Sequence, residues 1–303
     1  MSTLIAILLW LATFPVSVIG YNAYVAHSMS RDLPRLARSP ETGILKGAEP
    51  LFLKGEARKA ALLVHGFNGS PTDFGRLPQR LQEAGYTVSV PLLPGHGTDP
   101  RDLNKVTEEE LLRFVDRAYS ELKAKYEEVV LVGMSLGAAL SVIVASNRPE
   151  NHVDRLVLVA PYFRLKYEWY YLVPAEAHAR VARAVVPYFK RPFGQVPVYR
   201  KEARPHIVSY GYTSSKFAKV ALEIAREAQK DLAKIDARTP VLVLHSKKDR
   251  VSDYKTAIEL VGKIKAPVRF VSLERSNHIL LWDYDAPQVE REILEFLTDS
   301  RRG

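Results

Sequence analysis

Short apolar runs alternate with longer amphipathic segments along most of this 303-residue chain. The runs are almost continuously apolar, which is typical of parallel strands that are buried on both faces. Six of them are predicted strands: Ala60–Val64, Tyr86–Val90, Glu128–Val132, Arg155–Ala160, Val241–His245 and Val268–Leu273. The alternation predicts an α/β fold, in which a mostly parallel, doubly wound sheet is covered by helices on both faces.

The amphipathic segments carry helix signals of their own. Thr107 and Glu110 have the spacing of a capping box, in front of a segment with a helical apolar stripe. Leu136 to Asn147 is small and apolar, which favours a helix packed closely on the sheet. Two further helices are predicted over Tyr254–Ile264 and Val289–Leu297.

One long interval interrupts this alternation, between the predicted strands that end at Ala160 and begin at Val241. An insertion at the carboxyl edge of such a sheet, where ligands bind, predicts a helical cap over residues 161–238. A helical pattern runs through Phe217 and Leu232. The first part is rich in aromatic residues, namely Tyr162, Phe163, Tyr167, Trp169, Tyr170, Tyr171, Tyr188, Phe189 and Phe193. Alternatively, most of these aromatic residues form a small satellite core, and only those that face the sheet line a pocket.

The N-terminal segment has a different pattern. Leu4 to Ala26 contains no charged residue, and at ~1.5 Å per residue it is long enough to cross a hydrocarbon core of ~30 Å. We therefore expect residues 1–26 to form a transmembrane signal-anchor helix. A cleaved signal peptide is the main alternative, although such peptides normally carry positive charge before their apolar core. A buried helix of a soluble domain is a third interpretation.

Residues 27–50 are more polar and predict a juxtamembrane linker, followed by a catalytic domain over residues 51–303. Arg31, Arg35 and Arg38 follow the predicted span, whereas no side-chain cation precedes it. The positive-inside rule therefore favours a catalytic domain on the cytoplasmic side of the membrane. A cleaved signal would instead imply an exported protein.

Composition narrows the possible functions. The formal net charge is +9, but the basic residues are dispersed among acidic ones, so we expect no nucleic-acid partner. The chain has no cysteine, which excludes a disulfide framework, a cysteine nucleophile and thiolate metal sites. Metalloprotease, dinucleotide-binding and P-loop motifs are also missing, so neither a metal nor a cofactor is expected. The oligomeric state is not indicated.

The most specific motif is Gly133-Met134-Ser135-Leu136-Gly137, which directly follows the apolar run Val129–Val132. It has the form G-x-S-x-G at a predicted strand-to-helix junction. In that setting the serine lies on a tight turn and its hydroxyl projects from the sheet, where it can attack a carbonyl. The motif predicts Ser135 as a catalytic nucleophile.

Further segments carry a resemblance to a known family. Leu63-Val64-His65-Gly66-Phe67-Asn68-Gly69-Ser70-Pro71 is similar to an H-G-F-x-G loop, and Pro94-Gly95-His96-Gly97, Asp249 and Ser276-Asn277-His278 follow in order. With the Ser135 motif, they resemble α/β-hydrolases of the serine carboxylesterase, monoacylglycerol lipase and serine aminopeptidase type. The resemblance covers roughly residues 50–300, and it implies an α/β-hydrolase fold with an inserted cap.

The nucleophile needs a base, and the base needs an acid to orient it. His278 follows the last predicted strand, from where its imidazole can reach Ser135. Asp249 lies just beyond the strand Val241–His245, at the carboxyl end of the sheet, and is the predicted acid. Asp253 is a local competitor that is better interpreted as a helix N-cap. The two later aspartates, Asp283 and Asp285, break the Ser-Asp-His order of this fold.

The resemblance also implies an oxyanion hole made of the backbone N–H groups of Phe67 and Leu136. The side chain of Phe67 is then free to contact substrate, together with Met134. His96 is a further candidate for substrate contact, although a role in packing its own loop is the alternative.

These residues predict a serine esterase that works through an acyl-enzyme. The aromatic cap and the expected membrane anchor favour an amphiphilic acyl ester, such as a monoacylglycerol or a lysolipid, as substrate. The same residues can cleave amides or transfer the acyl group to an alcohol. A hydrolase-like protein without catalytic activity is a further alternative.

Overall fold

The computed structural model describes residues 3–148, 150–166, 185–191 and 196–298, with side chains from residue 13 onward. Five aromatic positions of the predicted cap, namely Tyr167, Trp169, Tyr170, Tyr171 and Phe193, lie outside the described residues.

Seven of the strands in the described residues form one sheet. They are β1 (Leu51–Leu53), β2 (Lys59–Val64), β3 (Thr87–Val90), β4 (Glu128–Met134), β5 (Arg155–Val159), β8 (Val241–Ser246) and β9 (Val268–Leu273). Their spatial order is β1-β3-β2-β4-β5-β8-β9, and every neighbouring pair is parallel except β1 with β3. All six predicted strands are present. The hydrophobic pattern does not reveal β1, because this three-residue edge strand is only partly buried.

Six helices accompany the sheet, and they bury both of its faces. They are α2 (Leu77–Glu83), α3 (Glu108–Lys123), α4 (Leu136–Ser146), α5 (Ser215–Asp231), α6 (Tyr254–Val261) and α7 (Ala286–Thr298). Alternate residues of the central strands point to opposite faces, so Leu131 packs in the core with α3 and α4, while Val132 packs in the core with α2 and α7. The predicted mostly parallel sheet with helices on both faces is confirmed.

The N-terminal helix, α1 (Thr3–Asp32), continues six residues past the predicted end at Ala26. Val25, Met29 and Leu33 recur every four residues and are buried against Tyr212, so helical packing extends into the predicted linker. Among the described residues, no helix is both long enough and apolar enough to span a membrane. The predicted transmembrane segment is therefore not supported.

The described part of the predicted cap is not purely helical. Besides α5 it contains β6 (Tyr188–Lys190) and β7 (Tyr212–Ser214), which pair antiparallel and are here called the cap sheet. Tyr188 and Tyr212 pack against α1, and the Tyr212 hydroxyl donates to Asp32 over 2.7 Å. These strands form because segments that are distant in sequence pack together on α1. Local periodicity does not reveal contacts of this kind.

Candidate active site

Ser135 lies on a strained turn between β4 and α4, with φ 54° and ψ −116°. A positive φ at a residue other than glycine costs on the order of 1–3 kcal/mol, and the surrounding packing must hold it in place. Here the Ser135 amide donates to the Val159 carbonyl over 3.0 Å, and the Ser135 carbonyl accepts from the Tyr162 amide over 3.1 Å. The turn is thus fixed by backbone hydrogen bonds on both sides.

Both glycines of the motif are required by close backbone approach. A Cβ atom at Gly137 would lie 2.0 Å from the Val64 carbonyl oxygen, and one at Gly133 would lie 2.5 Å from the Ala138 Cα. These distances are far below van der Waals contact, so α4 packs directly on the sheet only because both side chains are hydrogen atoms.

The structure brings Ser135, His278 and Asp249 together in one chain of hydrogen bonds. The Ser135 Oγ lies 2.7 Å from His278 Nε2, and His278 Nδ1 lies 2.8 Å from Asp249 Oδ2. An ionised carboxylate only accepts hydrogen bonds, so the proton of the neutral imidazole lies on Nδ1 and Nε2 is free to accept from the serine hydroxyl. All three side chains are buried.

The Asp249 carboxylate is held by several donors besides His278. Its Oδ1 accepts from the amides of Val251 (2.7 Å) and Ser252 (3.0 Å), and the Ser252 hydroxyl donates to Oδ2 over 3.1 Å. Burial by itself would raise the pKa of Asp249, but the positive charge that His278 can carry and these hydrogen bonds hold it below its usual value. Asp249 therefore stays ionised.

Two aspartates that follow His278 in sequence hold its loop in position. Asp283 accepts from the amide of Asn277 over 2.7 Å, and Asp285 accepts from the amides of Arg275 and Ser276, both over 2.9 Å. Neither competes for the histidine, in agreement with their place in the chain order. Asp253 likewise accepts from the Thr256 amide as the N-cap of α6.

The two predicted oxyanion amides lie beside the nucleophile. Leu136 is the first residue of α4, where backbone N–H groups have no intrahelical partner. Phe67 follows Gly66, at which a Cβ would lie 3.0 Å from the Ser135 Cβ. Among the described residues, neither amide donates a hydrogen bond. Both are available to an oxygen atom bound next to Ser135.

A cavity of about 380 Å³ opens in front of Ser135 and His278, and most of its lining is apolar. Phe67 and Met134, two of the three predicted substrate contacts, line this cavity. His96 does not line it. The His96 Nδ1 donates to the Pro94 carbonyl over 2.9 Å, and its ring packs edge-on against Phe217. Its role in this structure is therefore loop packing, and burial lowers the pKa of His96 to about 4.

A family model described as serine aminopeptidase, S33 matches residues 55–285. The chain belongs to this family. The predicted α/β-hydrolase fold is thereby confirmed, since solved relatives superpose on the chain over most of its length.

Several relatives match this chain over nearly their whole length. The thermostable monoacylglycerol lipase of Bacillus sp. (strain H-257) is 28% identical over 260 residues, which are 85% of this chain and 97% of the lipase. A carboxylesterase of Bacillus subtilis (strain 168) is 24% identical and covers 82% of this chain and 96% of its own. A solved structure from work on the metagenome-derived lipolytic enzymes LipS and LipT superposes with a TM-score of 0.74 at 26% identity, covering 84% of this chain and 98% of its own.

Two charged residues that the sequence pattern does not reveal line the cavity. Asp73 lies in the loop after β2, and Arg191 directly follows β6 in the cap. Neither residue lies in a recognisable motif, and the two are 118 positions apart in the chain, so local patterns do not link them. In the part of the chain that the structure describes, no group of three or more metal-ligating side chains is arranged to hold an ion.

Proposed function

We propose that this protein is a serine hydrolase that cleaves carboxylic esters through an acyl-enzyme. The observation that carries the proposal is the chain of contacts from Ser135 Oγ to His278 (2.7 Å) and from His278 to Asp249 (2.8 Å). The unpaired amides of Phe67 and Leu136 lie next to the same hydroxyl. The names of the relatives, monoacylglycerol lipase and carboxylesterase, support ester bonds as the target.

In the acylation step, Ser135 Oγ attacks the ester carbonyl carbon while its proton moves to His278 Nε2. The negative charge that develops on the carbonyl oxygen accepts hydrogen bonds from the Phe67 and Leu136 amides, a contribution of roughly 3 kcal/mol per donor. The carbon–oxygen bond to the alcohol then breaks, and the leaving alcohol takes the proton from Nε2. Asp249 stabilises the imidazolium throughout without accepting its proton.

In the deacylation step, water takes the place of the alcohol. His278 Nε2 removes a proton from the water as its oxygen attacks the acyl carbon. The tetrahedral intermediate collapses, the bond to Ser135 breaks, and the serine recovers its proton from Nε2. The products are a carboxylic acid and the free enzyme.

The cavity supports an acyl ester with a substantial apolar part, such as a monoacylglycerol or a lysolipid. Leu165, Leu222 and Val251 contribute apolar lining beside the nucleophile. Transfer of apolar surface into such a cavity is favourable by about 0.8 kcal/mol for each buried methylene group. We therefore expect kcat/KM to rise with acyl chain length until the cavity is filled.

The direct test is labelling by a fluorophosphonate, which reacts with activated serines. The wild-type protein is expected to be labelled at Ser135, and Ser135→Ala, with an unchanged circular dichroism spectrum, is expected to remain unlabelled. Equal labelling of both folded proteins, or of neither, would contradict the proposal. A series of p-nitrophenyl esters from acetate to palmitate, with a monoacylglycerol alongside, then measures the chain-length preference. A preference for the shortest ester would count against a lipid substrate.

A further inference from the structure

The cavity contains a cation whose role the ester chemistry above does not explain. Arg191 is partly buried, and its side chain lines the cavity together with Ser135 and His278. Its backbone amide donates to the Gly211 carbonyl over 2.7 Å, which fixes the backbone at the end of the cap sheet. Among the described residues, none forms an ion pair or a hydrogen bond with the guanidinium group.

Asp73 is the nearest candidate for a counter-ion, but it does not act as one by direct contact. Its side chain is buried, its Oδ2 accepts weakly from the Gly66 amide over 3.4 Å, and its Oδ1 has no hydrogen-bond partner within the described part of the chain. Burial raises the pKa of Asp73 to about 7, although His278 and Arg191 act against this rise through their charges. Arg191 and Asp73 thus both line the cavity, and within the described residues the guanidinium group has no hydrogen-bond partner, whereas Asp73 Oδ1 is enclosed by the protein. A ligand in the cavity can supply the partner for the guanidinium group.

These two groups lie on one side of the cavity, because the loop after β2 and the cap are bonded to each other there. Asn68 Nδ2 donates to the Tyr212 carbonyl over 3.1 Å, and the Ser70 hydroxyl donates to the Val208 carbonyl over 2.9 Å. The apolar lining residues Leu165 and Val251 come instead from the loops after β5 and β8, which pair with each other close to Asp249. The part of the cavity near Arg191 and Asp73 is here called the polar side, although cap residues such as Ile207 also contribute apolar lining there, and the part near Leu165 and Val251 is called the apolar side.

In the binding mode that follows from this division, the polar side receives the leaving alcohol. His278 gives its proton to the alcohol oxygen in the proposed reaction, so the alcohol part of the substrate must lie next to this imidazole. Asp73, His278 and Arg191 all line this one cavity. An anion bound there would supply a partner that the Arg191 guanidinium does not find among the described residues, in the two-pronged geometry that arginine forms with carboxylate and phosphate oxygens.

Resting on the proposed ester hydrolysis, we propose that Arg191 selects acyl esters whose alcohol part carries a phosphate or carboxylate group. The guanidinium binds the anion, and Asp73, which lines the same cavity, acts on the bound group through its charge. Protonation near neutral pH prevents Asp73 from repelling the ligand. The leaving group is then an anionic alcohol, and the acyl chain lies against the apolar side.

The experiment compares short esters that stay monomeric, so that the attraction of a basic protein to anionic micelles plays no part. The phosphate pair is hexanoylglycerol 3-phosphate and hexanoylglycerol, and the carboxylate pair is the hexanoyl ester of glycolic acid and its methyl ester. The readout is the ratio of kcat/KM for the anionic ester to kcat/KM for its neutral partner. We expect this ratio to exceed tenfold in the wild-type protein for at least one pair, and the pair that responds identifies the anion.

Arg191→Gln is expected to lower that ratio by roughly 10- to 100-fold, the usual value of a hydrogen bond to a charged group. Arg191→Lys, which keeps the charge, is expected to retain part of the preference. Lys248→Gln is the matched control, because it removes one positive charge from an exposed residue that follows β8 and does not line the cavity. Its ratio is expected to equal that of the wild-type protein.

The outcomes separate this inference from the proposed function. If the neutral esters are cleaved and Arg191→Gln leaves the ratio unchanged, Arg191 does not select anions, while ester hydrolysis stands. If the wild-type protein cleaves neither member of any pair and no fluorophosphonate labels Ser135, the proposed function itself fails. Should the Arg191 variants not fold, inhibition of the wild-type protein decides: glycerol 3-phosphate is expected to compete with hexanoylglycerol, and glycerol is not. Equal behaviour of the two compounds would overturn the inference.

Discussion

The nucleophile turn and the cap are held together by different kinds of contact. At the turn, α4 approaches β2 so closely that a Cβ on Gly137 would lie 2.0 Å from a carbonyl oxygen, and all eleven residues of α4 are buried. In the cap, the strands of the cap sheet are short and β6 is at most half-buried. The cap sheet packs on α1 through Tyr188 and Tyr212, and side-chain hydrogen bonds such as those from Asn68 to Tyr212 and from Lys190 to Asp32 link it to its other neighbours.

These contacts indicate which part of the site is rigid and which part can change its conformation. Close backbone packing excludes water and allows no alternative arrangement. A side-chain hydrogen bond contributes only about 1 kcal/mol net, because water can replace either partner. We therefore expect the cap sheet to open locally at a lower free energy than the turn. Substrate then enters past the cap sheet while Ser135 stays in place.

The largest effect is expected on the rigid side, from Asp249→Asn. The amide would hold His278 in the wrong tautomer, so kcat for p-nitrophenyl butyrate should fall by about 10⁴-fold with little change in stability. The matched control is Asp253→Asn, four residues further on, which changes the N-cap of α6. This control should retain kcat and lose at most about 1 kcal/mol of stability. Equal losses of kcat in both variants would contradict the assignment of Asp249.

A pair of glycine substitutions tests the packing difference directly. Gly137→Ala forces a methyl group against the Val64 carbonyl, so we expect it to lower the free energy of unfolding by about 4 kcal/mol or more. Gly211→Ala, in the cap, places its methyl group where nothing lies within 4 Å, and should change stability by less than about 0.5 kcal/mol. Urea unfolding of both variants measures the contrast. Similar losses for the two variants would show that the cap is packed as tightly as the turn.

Ser252→Ala tests how far the support of the catalytic acid extends. The Ser252 hydroxyl is 3.1 Å from Asp249 Oδ2 and 3.1 Å from His245 Nε2, and the residue is buried. Loss of this donor to a carboxylate should lower kcat by roughly tenfold, because Asp249 is less firmly oriented. KM should not change, since Ser252 does not line the cavity. A change in KM alone would show that Ser252 affects substrate binding and not the orientation of Asp249.

A pH dependence of stability is expected from Asp73, on the side where the cap meets the loop after β2. Burial holds the pKa of Asp73 at about 7 in the folded protein, compared with 3.8 for an ordinary aspartate. Between these two values the folded protein binds a proton that the unfolded chain has released. The free energy of unfolding should therefore fall as the pH rises from about 4 to 7.

Asp73→Asn removes this titration. Urea unfolding between pH 4 and pH 8 should show a flatter profile for the variant, with a slope difference on the order of 1 kcal/mol per pH unit. The free energy of unfolding of the wild-type protein, relative to that of the variant, should therefore be lower at pH 8 than at pH 4. Parallel profiles would mean that the carboxyl group is ionised across this range, as it would be if Arg191 contacted it.

The fold and the central residues of the site were predictable for local reasons. A strand buried on both faces must be apolar along its whole length, and this requirement reveals β4 and β8 without any tertiary information. The turn at Ser135 needs glycines at fixed positions beside it, so its motif is readable in the sequence. His96 shows the limit of such reasoning: a histidine in a glycine-rich turn suggests chemistry, but only the packing of its ring on Phe217 reveals its role.

The sequence by itself determined the parallel sheet, the turn at Ser135 and the order in which Asp249 and His278 follow it. Each of these depends on periodicity or on residues within a few positions of one another. Only the tertiary structure decided that α1 packs on the cap through Val25 and Met29, and that Arg191 and Asp73 share one cavity. Contacts between segments that are distant in sequence depend on how the cap folds back over the sheet. Local sequence patterns do not determine this arrangement.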